Sequence, residues 1–345
     1  MPNQKQTWNF SEYKIDRDWL YAPRTYLVDS FEPFVEEIYL PEVATKPGRL
    51  QFELQEKSQA CFLPVQTKLR KIKNLFLKNA SKPLNLEKVF IDLRQHYPSN
   101  LAHAITIHLP IALCAKEYLH SENKNEIILI FPATLPKHIR SLFETIGFEI
   151  VCTDTAIKGT QCIYDLESLI CIRSALPEII KSTLFQSDLR NKLIQAHQGL
   201  PKNIFISRRD TRKLINEREV EAFLVKKGYE KIYMEDYSVL QQLAIVSLAE
   251  KIVAIHGAAL GPLIFRGVFD IKPLKLVEIF SPAHMTNVYR IVMHQINGSW
   301  IGVRGKVWPK LIKQAYECEE TKVRQYSLEN FEICLESLEK AIHAQ

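Results

Sequence analysis

The sequence predicts an α/β protein with parallel sheets, and two observations support that prediction. Short apolar runs alternate with segments of helical periodicity along most of the chain. Residues 125–131 and 251–255 are bare apolar runs, which is typical of parallel strands covered on both faces. The chain has 345 residues, and at roughly 150 residues per domain that length favours two domains. We therefore expect two α/β domains, each with its own sheet.

The predicted domain boundary lies near residue 200. Residues 1–85 mix aromatic side chains, prolines and charges without sustained periodicity, so we expect an irregular extension of the first domain. The segment Gly199-Leu200-Pro201 interrupts the alternation of strands and helices, as linkers between domains do. We expect an N-terminal α/β domain over residues 1–199, a C-terminal α/β domain over 200–305 and a C-terminal segment over 306–345.

Two helical segments carry features that the fold must accommodate. A helix is predicted over residues 101–119, where Pro110 should kink or split it because proline lacks an N–H. A second, amphipathic helix is predicted from Ser327 to about Ala344. Its apolar residues step by three and four positions, and we expect this stripe to pack back onto the protein rather than onto a coiled-coil partner.

The composition excludes several classes of protein. With 46% hydrophobic and 24% charged residues, the chain is neither disordered nor fibrous. Its seven cysteines are irregularly spaced without a C-x-x-C, so we expect reduced, mostly buried thiols rather than a zinc knuckle. The N-terminus lacks the apolar core of a signal peptide, and no apolar run approaches the ~20 residues that span a bilayer. These features predict a cytoplasmic protein that can still visit the inner face of the membrane.

A cluster of cations follows the strand predicted over residues 203–207. The net charge of the whole chain is only +6, but four cations lie within six residues here: Arg208, Arg209, Arg212 and Lys213. A diphosphate leaving group requires forked donors and positive charge at the carboxyl end of a strand. A solvated basic turn is the alternative. Because the cations are concentrated and no array of aromatic residues accompanies them, nucleic acid is not an expected partner.

Small residues follow a later predicted strand, at His256-Gly257-Ala258-Ala259. Their size lets the backbone approach a ligand closely, and the N–H groups at a helix start favour an anion there. Neither G-x-G-x-x-G nor G-x-x-x-x-G-K-[ST] occurs, which argues against nicotinamide dehydrogenases and P-loop enzymes. Glu278 ends a further apolar strand, where it is either paired in a salt bridge or placed to accept both hydroxyls of a ribose.

Candidates for a general base lie in the first domain. Asp92 ends a predicted strand, and His103 would lie at the start of the following helix, where an imidazole suits proton transfer near neutral pH. His108 is five positions further on, and the two histidines cannot both face one site on an ideal helix. Asp16-Arg17-Asp18 lies in the irregular N-terminus, so we expect no metal site there.

Several of these segments occur in a fixed order between about residues 200 and 300. They are Ser207-Arg208-Arg209, Arg212 to Asn216-Glu217, the helix with Gln242, and His256-Gly257-Ala258, followed by Glu278 in a strand. This order and its strand–loop context resemble glycosyltransferase family 61, which includes EGF-domain O-GlcNAc transferases and xylosyltransferase-like enzymes. In the first domain, Asn100-x-x-His103 and Pro110 are similar to the family's Asn-x-x-His…Pro segment. The chain resembles a bacterial-type member.

The resemblance implies a GT-B architecture, in which two Rossmann-like domains with parallel sheets face each other across a cleft. It implies an inverting hexosyl- or pentosyltransferase that uses a nucleotide-sugar and needs no metal or other cofactor, with His103 as the base and Asp92 as the alternative. The implied acceptor is a glycan or lipid-linked glycan of bacterial surface polysaccharide. The implied donor-binding residues are Ser207, Arg208, Arg209, Arg212, Asn216, Glu217, Gln242, His256, Gly257, Ala258, Ala259 and Glu278.

Two positions depart from the family pattern. Ile107 stands where the family often has Asp, four residues after the histidine, and Ala259-Leu260-Gly261-Pro262 replaces the usual Gly-Leu-Thr-Asn. The first departure leaves a second hypothesis open, a non-catalytic module that binds a nucleotide-sugar or a glycan. Release of nucleotide in the presence of an acceptor separates the enzyme from the module.

Overall fold

The structure is a computed structural model that describes residues 6–10, 12, 14–23, 35–44, 47–60, 84–122, 126–167, 188–269, 271–307 and 326–344. The chain divides into two compact units. The first unit comprises Met1–Glu12 and Lys46–Leu189, and the second comprises Tyr13–Thr45 and Arg190–Gln345. Each has a sheet of seven strands within the described residues, together with helices. This confirms the predicted α/β class.

In chain order, the strands are β1 (Gln6–Phe10), β2 (Lys14–Ile15), β3 (Asp18–Pro23), β4 (Val35–Leu40), β5 (Val43–Ala44), β6 (Gly48–Ala60), β7 (Leu84–Asn85), β8 (Val89–Asp92), β9 (Ile127–Phe131), β10 (Glu149–Cys152), β11 (Ile157–Leu166), β12 (Asn203–Ile206), β13 (Glu230–Ile232), β14 (Lys251–Ile255), β15 (Lys275–Phe280) and β16 (Ser299–Arg304). The α-helices are α1 (Leu101–His103), α2 (Leu109–Ser121), α3 (Lys137–Ile146), α4 (Leu189–Ala196), α5 (Glu217–Lys226), α6 (Val239–Leu248), α7 (Val288–Gln295) and α8 (Leu335–His343). A π-helical turn (Ala104–His108) joins α1 to α2, and 3-10 helices span Met234–Asp236 and Ala258–Val268.

The sheet of the first unit is mixed rather than parallel. Its order is β1-β6-β11-β8-β9-β10, with β7 paired to β11. The run from β11 to β10 is parallel, whereas β6 is antiparallel to both β11 and β1. The expectation of an irregular segment over residues 1–85 is therefore wrong where the structure describes it. In β6, Leu50, Phe52 and Leu54 are buried and alternate with polar residues, which is the pattern of a strand covered on one face.

The sheet of the second unit has the order β13-β12-β14-β15-β16-β3-β4. All neighbouring pairs from β13 to β3 are parallel, and β4 lies antiparallel on β3 at the edge. Residues 13–45 therefore belong to the second unit, in contrast to the predicted first domain of residues 1–199. The cause is the pairing of β3 with β16, which lies almost three hundred residues further along the chain and which local periodicity does not reveal.

The predicted C-terminal helix starts later than its pattern indicates. It begins at Leu335 rather than Ser327, because Phe331 forms a β-bridge with Leu214 and the backbone up to residue 334 is not helical. In α8, Leu338 and Ala341 are fully buried in a core cluster that they share with residues of the second sheet. The apolar stripe of α8 thus packs on the second unit.

Pro110 is accommodated by a widened helical turn. The π-helical turn immediately precedes α2, and Leu109 N donates to Ala104 O in the wider π pattern just before Pro110, which has no N–H to donate. The predicted interruption of the helix therefore takes the form of a local change in hydrogen bonding. None of the helices in the described ranges is both long and apolar enough to cross a membrane.

Candidate functional site

Three neighbouring strands of the second unit end at the same sheet edge. Strands β12, β14 and β15 are adjacent and parallel, so the loops that follow them emerge together. Ser207 and Arg208 follow β12, His256 and Gly257 follow β14, and a turn beginning at Ser281 follows β15. The segments that the sequence singles out in this half of the chain are therefore brought to one edge.

Arg208 holds two of these loops together. Its Nε donates to Thr211 O at 2.9 Å, and its Nη1 donates to His256 O at 3.1 Å. A Cβ at Gly257 would overlap Arg208 Nη1, so the glycine provides the space that the guanidinium occupies. Burial lowers the pKa of Arg208, and this outweighs the opposite effect of nearby groups. The guanidinium is thus a fixed, half-buried cation.

Arg212 lies close enough to Arg208 for the two positive charges to repel each other. Burial, followed by repulsion from Arg208, lowers the pKa of Arg212 to about 10. Its backbone has φ of 59°, a left-handed conformation that its N–H bond to Leu328 O helps to hold. Among the described residues its buried Nε has no hydrogen-bond partner. Two like charges in a partly buried setting make this sheet edge favourable for an anion.

Arg209 differs from these two arginines because a carboxylate already binds it. Its Nη1 and Nη2 donate to the two carboxylate oxygens of Asp236 at 2.5 and 2.6 Å, and its guanidinium lies 4.0 Å from the centre of the Tyr233 ring. Lys213 is half-buried, and its backbone N–H donates to Asn330 Oδ1. Among the four cations of the predicted cluster, Arg208 and Arg212 are therefore the better candidates for binding an anionic ligand.

His256 and Glu278 form a buried pair. His256 Nδ1 lies 2.6 Å from Glu278 Oε1, and Trp300 Nε1 donates to Glu278 Oε2 at 2.7 Å. Glu278 is fully buried, so it cannot accept the hydroxyls of a ribose, and that predicted role is wrong. Its partners are the imidazole and the indole, which satisfy both carboxylate oxygens.

Ser207 and Glu217 are engaged with each other and with the local fold. Ser207 Oγ donates to Glu217 Oε1 at 2.5 Å, and Tyr233 Oη donates to the same oxygen at 3.0 Å. Gln242 Nε2 donates to Tyr237 O at 3.0 Å, at the start of α6. Ser207 and Glu217 thus connect the end of β12 to its surroundings, and Gln242 binds the backbone just before α6.

Asn216 holds the C-terminal segment. Its Nδ2 donates to Ile333 O at 2.9 Å, and its Oδ1 accepts from Ile333 N at 3.3 Å. It occupies the N-cap position of α5, but its side chain makes no capping bond. Ser238 and Gln241 form a capping box at the start of α6.

His284 and Tyr289 belong to the same cluster, and sequence reasoning missed them. Their rings lie 5.2 and 5.6 Å from that of His256. Burial, followed by the positive charges of His256 and Arg212, lowers the pKa of His284 to about 4, so it is uncharged at neutral pH. His284 lies four residues after the end of β15, so the strand-end rule that selected His256 also applies to it.

The base candidates lie in the first unit, after β8. Both carboxylate oxygens of Asp92 accept from the buried Arg94, from Nε at 2.8 Å and from Nη2 at 2.7 Å. His103 is half-buried, with Nδ1 3.2 Å from His96 O and its ring 5.9 Å from that of Tyr97. Asp92 therefore has both carboxylate oxygens engaged by Arg94, which makes it the weaker candidate for a base.

His108 and Ile107 are both fully buried in the π-helical turn. Burial lowers the pKa of His108 to about 4. These positions therefore support the helix rather than a solvent-facing site. No group of three or more His, Cys, Asp or Glu side chains suited to a metal ion occurs in the part of the chain that the structure describes.

The family model for Glycosyltransferase 61 matches residues 34–267, which is more than half of the chain. The chain belongs to glycosyltransferase family 61, and it is a glycosyltransferase. No curated protein shows significant similarity to it. A solved structure similar to the chain is that of the dodecameric iron-containing heptosyltransferase TibC in complex with ADP-D-β-D-heptose. The likeness has a TM-score of 0.29 and 11% sequence identity, and covers 81% of this chain and 74% of that chain.

Proposed function

We propose that the second unit binds the diphosphate of a nucleotide-sugar and that the protein is an inverting glycosyltransferase that needs no metal. The observation that carries this proposal is the pair of partly buried guanidinium groups of Arg208 and Arg212 beside the start of the Ala258–Val268 helix. The first N–H groups of a helix have no partner within the helix, so they add donors for an anion at the same edge. This combination supplies the positive charge that a metal ion otherwise provides.

In the proposed reaction, an acceptor hydroxyl attacks the anomeric carbon of the sugar. The bond between that carbon and the phosphate oxygen breaks, and the nucleoside diphosphate leaves with an additional negative charge. Arg208 and Arg212 stabilise this charge as it develops. The hydroxyl proton passes to a base, for which His103 is the better candidate because Arg94 engages both oxygens of Asp92.

The proposed acceptor is a glycan or lipid-linked glycan of a bacterial surface polysaccharide, and the proposed setting is the cytoplasm at the inner face of the membrane. The family supports a nucleotide-sugar donor and a glycan acceptor. The sugar and the nucleotide base are to be found with a panel of activated sugars. Binding of a nucleotide-sugar without transfer to a competent acceptor would instead indicate a binding module.

Arg212→Ala is the sharpest test of the diphosphate site. We expect the variant to fold and to lose about ten-fold or more in affinity for the nucleoside diphosphate that binds the wild type best, because a charge-assisted contact to phosphate is worth roughly 1.5–3 kcal/mol. Titration calorimetry with UDP, GDP, CDP and ADP measures this loss. Transfer of sugar should fall at least as much.

Arg209→Ala is the matched control, since it removes a guanidinium from the same loop that Asp236 already binds. We expect its affinity for the nucleoside diphosphate to stay within about two-fold of the wild type. Equal losses in the two variants would show that only the overall charge of the loop matters, and unchanged affinity in Arg212→Ala would refute the site.

A further inference from the structure

Glu278 lies next to the proposed donor site but cannot touch a ligand. It is fully buried in β15, while the side chain of its partner His256 retains about 10% of its surface exposed. An ionised carboxylate without solvent needs donors for both oxygens, and these come from His256 Nδ1 and Trp300 Nε1. Any effect of Glu278 on a bound substrate must therefore pass through His256.

The contact with Glu278 fixes the orientation of the imidazole. Because Nδ1 faces Oε1 at 2.6 Å, that nitrogen carries a proton and donates, and Nε2 lies on the opposite side of the ring. The ring is further held by stacking on Phe280, with centroids 5.2 Å apart. His256 O accepts from Arg208 Nη1, which places the backbone of the histidine against the proposed diphosphate site.

The charges around His256 act in opposite directions. The groups near it are Glu278 on β15, His284 on the following turn, Tyr289 on α7 and Arg208 on the loop after β12. Arg212, on the same loop as Arg208, acts on the neighbouring His284. The arginines bring positive charge to this sheet edge, whereas the buried carboxylate brings negative charge to the Nδ1 side of the ring. A bound diphosphate would add negative charge at the same edge, where a hydrogen-bond donor on Nε2 stabilises it.

We propose that Glu278 is a positioning residue for the donor: it directs the Nδ1–H of His256 inward and keeps the imidazole protonated while a diphosphate is bound, so that Nε2–H donates to a phosphate oxygen. This inference rests on the proposed function. In this role Glu278 does not contact the ribose but positions the imidazole of His256. Trp300 supports Glu278 by occupying its second oxygen.

The inference predicts that affinity for a nucleoside diphosphate depends on pH. Affinity should decline on the alkaline side, when His256 loses its Nε2 proton. In Glu278→Gln the negative charge is absent, so the protonated histidine is less favoured and the decline should begin at lower pH. At pH 7.5 the variant should bind about ten-fold more weakly, which corresponds to roughly 1.4 kcal/mol.

The experiment is calorimetry on the full chain with UDP, GDP, CDP and ADP between pH 5.5 and 8.5. Glu278→Gln is compared with Trp300→Phe, which removes one donor to the carboxylate and should shift the profile less, in the same direction. The matched control is Glu250→Gln, which removes a surface carboxylate paired with Lys202 and should leave the profile unchanged. Thermal unfolding establishes that each variant is folded. If Glu278→Gln does not fold, the comparison of Trp300→Phe with the wild type tests the inference.

Nitrogen-15 spectra of the imidazole give an independent readout. In the wild type with the nucleoside diphosphate bound, His256 should carry protons on both ring nitrogens. A neutral ring with its proton on Nε2 would overturn the inference. So would Glu278→Gln and Trp300→Phe proteins that are folded and retain the affinity and pH profile of the wild type.

The outcomes also separate the two proposals. If the wild type binds none of the nucleoside diphosphates, the proposed function fails and this inference fails with it. If Arg212→Ala weakens binding while Glu278→Gln and Trp300→Phe do not, the diphosphate site stands and only the role of Glu278 is refuted.

Discussion

Gly257 is required by the size of its neighbour rather than by backbone freedom. Its φ of 169° is extended and accessible to any residue, but Arg208 Nη1 occupies the volume that a side chain would need. Gly257 thus leaves room for the guanidinium of Arg208, which belongs to a different loop. The sequence predicted close approach of a ligand at this position, and the structure shows that a guanidinium already makes such an approach.

Gly257→Ala should displace the Arg208 guanidinium and weaken binding of the nucleoside diphosphate by about ten-fold, since one charge-assisted contact to phosphate is lost or misplaced. Gly147→Ala is the control, because Gly147 has φ of 96° and open space around it. It should lose about 1 kcal/mol of stability with unchanged affinity. Calorimetry and thermal unfolding measure both quantities, and wild-type affinity in Gly257→Ala would contradict the assigned role of Arg208.

At the scale of elements, the π-helical turn of the first unit encloses His108. Its Nε2 lies 2.8 Å from Gln95 O and its Nδ1 lies 3.1 Å from His103 O. A neutral imidazole has one N–H and can donate to only one of these carbonyls. Protonation would satisfy both, but burial outweighs these bonds and lowers the pKa to about 4. The turn is therefore built around an uncharged histidine.

His108 should make the first unit less stable as the pH falls. Its folded pKa of about 4 lies below the ordinary value of 6.5, so between these values the unfolded chain binds a proton that the folded chain does not. Its contribution is complete above pH 6.5 and is lost toward pH 4, by up to roughly 3 kcal/mol at about 1.4 kcal/mol per pKa unit.

Urea unfolding at several pH values measures this loss. His108→Gln should show a smaller decrease in the free energy of unfolding between pH 6.5 and 4 than the wild type. His138→Gln is the comparison, because His138 is more exposed and burial lowers its pKa less. An identical pH slope in wild type and His108→Gln would disprove this contribution.

The C-terminal segment shows how a helical pattern can mislead at an element boundary. Phe331 fits the apolar stripe that predicts a helix from Ser327, yet it pairs with Leu214, and Asn216 binds the backbone of Ile333. These contacts join residues more than a hundred positions apart. They hold residues 331–334 in a non-helical conformation until α8 begins at Leu335.

At the scale of the whole molecule, the second unit combines an N-terminal segment, residues 13–45, with residues from position 190 onward. Arg290 is almost completely buried, and its Nε donates to Asp18 Oδ2 at 2.6 Å while its Nη2 donates to Asp16 O and Pro41 O. His294 Nε2 lies 2.7 Å from the same Asp18 oxygen. The Asp16-Arg17-Asp18 segment thus anchors an N-terminal hairpin to α7.

Asp18→Ala should destabilise the second unit by about 3–5 kcal/mol, because it leaves the buried Arg290 without a carboxylate partner. Glu42→Ala is the matched control from the same hairpin, since it removes only the exposed pair with Arg17 and should cost at most about 1 kcal/mol. Urea unfolding followed by tryptophan fluorescence measures both. Equal, small losses would show that the hairpin is not anchored by Asp18.

The sequence by itself determined the α/β class, the strands predicted over residues 203–207 and 251–255 to within one residue, and the gathering of Arg208 and His256 at one sheet edge. These follow from local periodicity and from the rule that parallel strands end together. Only the tertiary structure decided which cation of the cluster a carboxylate binds, what Glu278 binds and where residues 13–45 belong. Those outcomes depend on partners 27, 22 and 272 positions away, for Arg209, His256 and Arg290, and burial at such distances is set by packing that no local pattern encodes.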